Sequence, residues 1–419
     1  MINKDNYCII MAGGIGSRFW PLSRTKKPKQ FIDILGVGET LLQMTFKRFE
    51  SICPIENIYI VTSRLYKDLV LEQLPMVNPD CVITEPIRRN TAPCIAYANA
   101  KIKKRNPNAK IVVAPSDHLI LNQEEFIKKI ELGFCVVENN DVLVTLGIEP
   151  TYPNTGFGYI QFTDDNNFSK DVKKVKLFTE KPEYEMALQF IKSGDFLWNA
   201  GIFIWSLSSI EKSMKQFLPE IYELFDQGIE FYDTDEENDF IDVTYSACPS
   251  ISIDYGVMEK ASNVYVIPSS FGWSDIGTWN ALYEQREKDD NANSYIGKNV
   301  MTYEVNNCLI NTPKDKLVIL QGLDDYIVVD SDDVLMICHK SEEQRIKQFV
   351  TDVEVEAFVN NAVTCIGFDS TVAENFAEGY TFTIGLDETS QLVYDASKAG
   401  AEGYFSRSHC RICQRSGRL

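Results

Sequence analysis

The sequence predicts an α/β chain built on a mainly parallel mixed sheet, with a small C-terminal β-rich module behind it. Short apolar runs alternate with helix-length amphipathic stretches as far as about Tyr283, turn-separated β runs follow from Asn299, and a charged interval divides the two regions. That alternation is the pattern of strand and crossover helix, whereas closely spaced short strands without helices belong to an all-β unit.

The first element is Tyr7-Cys8-Ile9-Ile10, followed by strand-like runs at Ile58 to Thr62, Ile111 to Ala114, Val142 to Leu146 and Val175 to Phe178. Glu284 to Asn293, EQREKDDNAN, reads as a linker, which places a boundary near residue 288. Beyond it Asn299 to Thr312, Leu317 to Leu320, Tyr326 to Asp330 and Asp333 to His339 are β-patterned, and a helix is expected from Glu342. The expected organisation is therefore a core over 1–288, a β-rich domain over 289–354 and a tail over 355–419 with no assigned role. In the tail, His409 and Cys410 with Cys413 make half of a zinc-type ligand set, and no second pair stands at zinc-finger spacing.

A length of 419 residues allows two or three domains. The net charge of −19 argues against general nucleic-acid binding, so any anionic substrate has to be captured locally. Eleven cysteines without paired spacing fit a reducing cytoplasm and small core residues. Asn3, Lys4 and Asp5 precede an apolar run cut short by glycines and Arg18, which does not read as a signal peptide. No apolar run reaches the roughly 18 residues of a membrane span.

Met11 to Phe31, MAGGIGSRFWPLSRTKKPKQF, reads as a phosphate site directly after the first strand. Gly13, Gly14 and Gly16 allow positive φ and close approach of main-chain N–H groups to phosphate oxygens, and Arg18, Arg24 and Lys29 add full charges. No GK[ST] follows the glycines, and the third glycine of a dinucleotide fingerprint is missing, so the commoner phosphate loops are excluded. Ligands of such sheets bind outside the carboxyl ends of the strands, where Pro115-Ser116-Asp117-His118 also falls.

Further candidates each have a plainer reading beside the chemical one. Asp117 is either a hard oxygen ligand for a divalent cation or an Asx-type turn residue, and Asp275 in FGWSDIGT is its partner ligand or a helix cap. Glu180-Lys181-Pro182 pairs a hydrogen-bond acceptor with an ammonium that the proline holds in an extended or turn geometry, or is a surface ion pair. Asn199, inside the apolar run LWNAGIF, needs partners that a sugar could supply. EPIRRNTAP presents Asn90 and Thr91 to a purine edge, or only caps a helix starting at Thr91 or Pro93. YPNTGFGY is a wall against a sugar ring or a hairpin.

In this order these segments resemble the mannose-1-phosphate guanylyltransferase family, also called GDP-mannose pyrophosphorylases, within the sugar nucleotidyltransferases. The resemblance runs over roughly residues 7 to 350, on AGGIGSRFWPLSR with PKQF, EPIRRNTAP, PSDH, NTGFGYI, FTEKP, LWNAGIF, SIDYGVMEK and GWSDIGTW. It implies a Rossmann-like, glycosyltransferase-A-like nucleotidyltransferase core and a small domain of left-handed β-helix type. The implied reaction is transfer of GMP from GTP to α-D-mannose 1-phosphate, with Mg²⁺, in the cytoplasm; no nucleic acid or membrane is a partner, and a homodimer is allowed.

By motif, Gly13, Gly14, Gly16, Arg18 and Lys29 would hold the triphosphate, and Asn90 and Thr91 with Glu85 would recognise guanine. Gly158, Glu180, Lys181 and Asn199 would contact mannose 1-phosphate, and Asp117 and Asp275 would hold the metal. Arg18, Lys29, Asp117 and Asp275 form the implied catalytic set. Ser17 and Ser116 depart from the threonine and alanine common in the family. Two-domain relatives add a phosphomannose isomerase domain that needs a histidine-rich metal site, and this chain has only His118, His339 and His409, so that activity is not expected. The rivals are a sugar nucleotidyltransferase taking dTTP, UTP or ATP with a glucose or fucose phosphate, and a non-catalytic nucleotide-sugar sensing subunit.

Overall fold

The structure, a computed structural model, describes residues 2–14, 16–163, 168–331 and 333–353, with the backbone of three strands beyond them. Two compact units are present, Met1–Glu343 and Gln344–Leu419.

The first unit opens with β1 (Asn6–Ala12), α1 (Leu41–Glu50), β2 (Ile58–Ser63), α2 (Lys67–Gln73), β3 (Val82–Glu85), α3 (Thr91–Arg105) and β4 (Lys110–Pro115). It continues through β5 (Leu119–Ile120), α4 (Gln123–Val137), β6 (Leu143–Ile148), β7 (Gly158–Thr163), β8 (Lys173–Glu180), α5 (Tyr184–Ser193) and β9 (Phe196–Ser206). Then come α6 (Leu207–Phe217), α7 (Pro219–Asp226), α8 (Glu237–Ala247), β10 (Val264–Ser269), β11 (Trp273–Ser274) and α9 (Trp279–Glu284). Local chemistry starts the helices: Thr40 closes a capping box with Gln43 at α1, and Asn122 accepts from Glu125 N at α4.

One sheet orders nine strands β3-β2-β1-β4-β9-β6-β10-β8-β7. The β3-β2-β1-β4 half is parallel, as the alternation predicts, and Cys8, Ile9 and Ile10 in β1 are fully buried between neighbouring layers. The other half departs from expectation. β9 runs antiparallel to both β4 and β6, and β8 runs antiparallel to β7 and β10. β7 and β8 are joined by a segment shorter than the dozen or so residues of a parallel crossover, which leaves a hairpin as the available connection.

β9 is long enough to do two jobs. Its second half pairs with β4 and β6 through Phe203, Ile204 and Trp205, while its first half leaves β4, stays on the end of β6 through Trp198 and Asn199, and pairs with β7 on its other side. Gly201, at φ 66°, supplies the left-handed bend between the two halves.

After α9 the chain forms β12 (Ser294–Ile296), β13 (Val300–Tyr303), β14 (Leu309–Asn311), β15 (Val318–Gln321), β16 (Tyr326–Asp330) and β17 (Leu335–His339). β12, β14 and β16 stack as one parallel ladder and β13 with β15 as another, so successive turns of chain coil around Val305, Cys308, Ile310 and Val328. This is a β-helix-like module, closed at one edge by β17 antiparallel to β16.

The interval read as a linker is tied down. Asn293 is fully buried, donating to Val305 O at 2.8 Å and accepting from Cys308 N at 3.0 Å, and Arg286 donates to Leu35 O at 2.6 Å and Tyr295 O at 2.8 Å. Glu284, Glu287, Lys288, Asp289 and Asp290 are exposed, so the anchoring comes from Arg286 and Asn293 and not from the charge run as a whole. The expected helix from Glu342 begins slightly later: a 3-10 turn spans Lys340–Arg345 and the α-helix occupies 346–353. In the second unit, strands Thr381–Leu386, Leu392–Lys398 and Ala401–Gly403 form an antiparallel sheet. His409, Cys410 and Cys413 lie outside the described residues.

Candidate active site

The chain leaving β1 at the carboxyl edge of the sheet carries the glycine loop. Of its three glycines only Gly16 has positive φ, at 66°, so conformational freedom is required there and not at Gly13 or Gly14, contrary to the sequence reading. Close packing adds to the need at Gly16, because a Cβ would meet Lys29 Cβ at 2.5 Å. Gly14 is different: nothing lies within 4 Å of where its Cβ would stand, so its backbone faces open space.

The three basic residues of this segment have separate fates. Arg18 is exposed on a 3-10 turn and has no ion-pair partner among the described residues. Lys29 is buried. Arg24 makes a two-pronged pair with Asp333, in the turn between β16 and β17, and donates to Pro21 O at 3.0 Å. Its expected role at the phosphates is thus overturned: that charge is committed to the β-helix module.

Lys29 Nζ reaches Asp117 Oδ2 at 3.2 Å and the main-chain oxygen of Asp275 at 2.8 Å. One ammonium therefore joins the PSDH turn to the GWSDIG loop, 246 residues further along the chain from Lys29. Burial works to raise the Asp117 carboxyl, but the charge of Lys29, helped by His118, outweighs it and holds the group below its ordinary value. Asp117 stays ionised and is 36% exposed, open to the cleft.

Asp275 does not cap α9. Thr278 does, accepting from Ala281 N at 3.1 Å, while Asp275 Oδ1 takes Gly277 N at 3.1 Å in a tight turn that leaves Oδ2 without a hydrogen bond among the described residues. Two carboxylates without a third suit Mg²⁺, which keeps most of its shell as water and substrate oxygens. No group of three or more metal-ligating side chains occurs among the described residues.

The sequence does not single out His118, yet its ring belongs to this edge. Trp273 Nε1 donates to His118 Nδ1 at 3.2 Å, which leaves Nε2 as the protonated nitrogen of the neutral ring, 4.0 Å from Asp117 Oδ1. Burial lowers the imidazole below its ordinary pKa against the opposing pull of Asp117 and Asp275.

At the end of β3, Glu85 is 6% exposed and accepts from Tyr245 Oη at 3.0 Å, with Oε2 turned toward Gly13. Burial pushes its carboxyl up to about 7, against the Tyr245 hydrogen bond and the charge of Arg88. Asn90 starts α3 at φ 67° with its side-chain oxygen on Thr91 N, and Thr91 Oγ1 accepts from Ile253 N at 2.9 Å. Both residues therefore carry structural bonds; the Asn90 amide nitrogen is left for other partners.

Glu180 ends β8 and Lys181 follows it. Gly158 stands opposite Glu180 in the ladder, and a Cβ there would overlap Glu180 Oε2, so the glycine makes room for a carboxylate. Lys181 adopts φ 48°, a turn geometry and not an extended one, with its N–H on Phe157 O at 3.1 Å and Nζ on Glu180 Oε1 at 2.8 Å. Burial lowers the ammonium, and the Glu180 contact outweighs that to raise it.

The Asn199 amide, which needs partners that a sugar could supply, finds them within the protein. Oδ1 accepts from Thr145 Oγ1 at 3.0 Å and Gly201 N at 3.1 Å, and Nδ2 donates to Asp254 Oδ1 at 2.9 Å. Phe157 connects the edges, lying edge-on to Trp198 and Trp273 at 5.1 and 5.2 Å, with Tyr152 against Trp198, so YPNTGFGY is an aromatic wall leading into a hairpin strand. Asp254, Tyr245 and Trp273 escape the sequence reading as individual residues; SIDYGVMEK and GWSDIGTW are the signals for the first and last.

A profile of the family described as "Nucleotidyl transferase" matches residues 7–292, and one described as "MannoseP isomerase/GMP-like beta-helix domain" matches 298–353. The chain is 36% identical over 353 residues to the alginate biosynthesis protein AlgA of Pseudomonas putida, covering 83% of this chain and 71% of that protein. It is 37% identical over 358 residues to the mannose-1-phosphate guanylyltransferase of Salmonella montevideo, covering 83% and 74%. A crystal structure described as a mannose-1-phosphate geranyltransferase from Thermus thermophilus matches with a TM-score of 0.75 at 27% identity, covering 84% of this chain and 99% of that one.

Proposed function

The chain belongs to the nucleotidyl transferase family, and from that premise we propose that it transfers GMP from GTP to α-D-mannose 1-phosphate, giving GDP-mannose and pyrophosphate. The observation that carries the reading is the bridge from Lys29 to Asp117 and Asp275, standing between an open glycine loop on one side and the Glu180–Lys181 edge on the other. Relatives named for mannose-1-phosphate guanylyl transfer support the choice of substrates.

In this reading a phosphate oxygen of mannose 1-phosphate attacks the α-phosphorus of GTP in line, and pyrophosphate leaves from the opposite face. Both reactants are anions, so the barrier falls when cations are fixed between them and both are aligned. The glycine loop cradles the triphosphate with its main-chain N–H groups. Arg18, which has no other ion partner among the described residues, and Lys29 stabilise its charge. Lys181 holds the sugar phosphate and Glu180 accepts from sugar hydroxyls. Glu85 accepts from the guanine edge, with Asn90 and Thr91 beside it.

Asp117 and Asp275 would hold a divalent cation, which we take to be Mg²⁺; when bound it supplies charge neutralisation at the reacting phosphates. No helix among the described residues is long and apolar enough to cross a membrane. The eleven cysteines without paired spacing are the support for placing the activity in a reducing cytoplasm.

The test is pyrophosphate release from the full chain across GTP, dTTP, UTP and ATP, each with mannose, glucose and fucose 1-phosphates. GTP with mannose 1-phosphate should be the best pair. Preference for another pair would replace the substrate assignment, and silence with every pair would favour the sensing subunit.

A further inference from the structure

We propose that Asp254 is a second carboxylate acceptor for the hydroxyl groups of the bound hexose 1-phosphate, set beside Glu180 and aimed by Asn199; this rests on the sugar 1-phosphate reading of the Glu180–Lys181 edge.

Asn199 fixes the carboxylate. The Gly201 N–H can only donate, so the amide atom it meets at 3.1 Å is Oδ1, and the hydroxyl of Thr145 approaches that same atom at 3.0 Å. The nitrogen is thereby directed at Asp254 Oδ1, at 2.9 Å. Asn199 is 9% exposed and saturated on its oxygen side, so it cannot turn without losing two hydrogen bonds. A side chain locked in this way on a strand is a rigid support for the group it touches.

The backbone under Asp254 is also unusual. Residues Asp254–Met258 form a single π turn, in which Glu259 N bonds back to Asp254 O at 2.9 Å. Such wide turns interrupt regular helices and occur frequently at functional sites, where they re-aim a side chain. Here the turn is docked on the sugar edge, because Glu259 Oε1 accepts from the main-chain nitrogen of Glu180 at 3.0 Å.

Two carboxylates therefore act on each other across this edge, each holding one side-chain donor. Lys181 Nζ sits on Glu180 Oε1, and among the described residues Asn199 is the side chain that donates to Asp254. Burial, and then the like charge of Glu180, push the Asp254 carboxyl up to about 6. Such a pair is relieved when donors enter between the acceptors. A sugar ring carries neighbouring hydroxyls that can do this without adding charge. Asp254 is only partly buried, so a ligand can reach it.

The experiment compares wild type, Asp254→Asn and Asp254→Ala as full chains, measuring KM for mannose 1-phosphate, KM for GTP, and turnover of the 2-, 3-, 4- and 6-deoxy analogues of mannose 1-phosphate. Asn preserves shape and an oxygen for Asn199 while weakening the acceptor. The expected result is a rise of roughly 10-fold or more in KM for mannose 1-phosphate with KM for GTP within about 2-fold. One deoxy analogue that wild type handles poorly should lose little further in the variants. An unchanged KM for mannose 1-phosphate with a wild-type deoxy profile overturns the role of Asp254 and leaves the guanylyltransferase reading standing. Equal losses for both substrates with a lowered melting temperature mark a structural role and also overturn it. Wild-type silence with mannose 1-phosphate overturns the broader reading and this inference with it.

Discussion

The ammonium of Lys29 lies 3.2 Å from the carboxylate of Asp117, and its stem occupies the space that a side chain at position 16 would need. One residue thus sets the charge at Asp117 and the path of the glycine loop. Lys29→Met separates the two. Methionine keeps the apolar stem beside Gly16, and loses the charge together with its place over the Phe19 ring. We expect a folded protein whose kcat falls by about 10²–10³-fold, read as the initial rate of pyrophosphate release; a loss below about 3-fold would remove Lys29 from the reacting phosphates.

The two glycines of the loop should behave oppositely. Gly16→Ala forces an L side chain to φ 66° and into Lys29, so it should destabilise by about 2 kcal/mol in denaturant unfolding. Gly14→Ala meets nothing within 4 Å, and its stability should change by less than about 0.5 kcal/mol. Its KM for GTP should nonetheless rise, because the new methyl group enters the space assigned to the triphosphate.

Asp275→Asn retains the oxygen that accepts from Gly277 N, so the loop should keep its shape. Turnover should fall by orders of magnitude, with the Mg²⁺ concentration for half-maximal rate displaced upward. Near-normal activity at the wild-type Mg²⁺ requirement would exclude Asp275 as a ligand.

Glu85 makes stability depend on pH. Burial raises its carboxyl from 4.5 to about 7, so ionisation is harder in the folded chain than in the unfolded one. The protonated form therefore contributes fully below about pH 4.5, and that contribution is lost as pH rises through about 7, by about 3 kcal/mol. Glu85→Gln should flatten the stability profile in this window. In the proposed role Glu85 accepts from guanine as a carboxylate, so KM for GTP should fall from about pH 6 to about pH 8. Tyr245→Phe removes a donor that lowers the carboxyl, and should move that transition to higher pH.

The sequence reading succeeded where chemistry is local. A glycine loop after β1, an acid after β4 and a capped start to α3 are all set by neighbours in the chain, and parallel topology then carries them to one edge. It was weakest where partners are distant. Asn199 and Asp254 are 55 residues apart, and Arg24 and Asp333 are 309 apart; no local periodicity marks either pair. The antiparallel half of the sheet was equally hidden, since an apolar run does not state the direction of its neighbours. Gly158 showed its character in the sequence but not its cause, which is the carboxylate of Glu180 across the ladder.

The pinned interval at residues 284–293 bears on how these enzymes can be recombined. A chimaera joined at residue 288 would place Arg286 in one parent and its partners Ser294 and Tyr295 in the other, and would likewise split the Arg24–Asp333 pair, so both contacts fail unless the parents carry matching residues. A crossover that respects the molecule has to exchange the coil together with the 20–36 segment it grips. Donor modules are therefore best selected by what they present at the positions of Asp333 and Ser294 rather than by overall similarity.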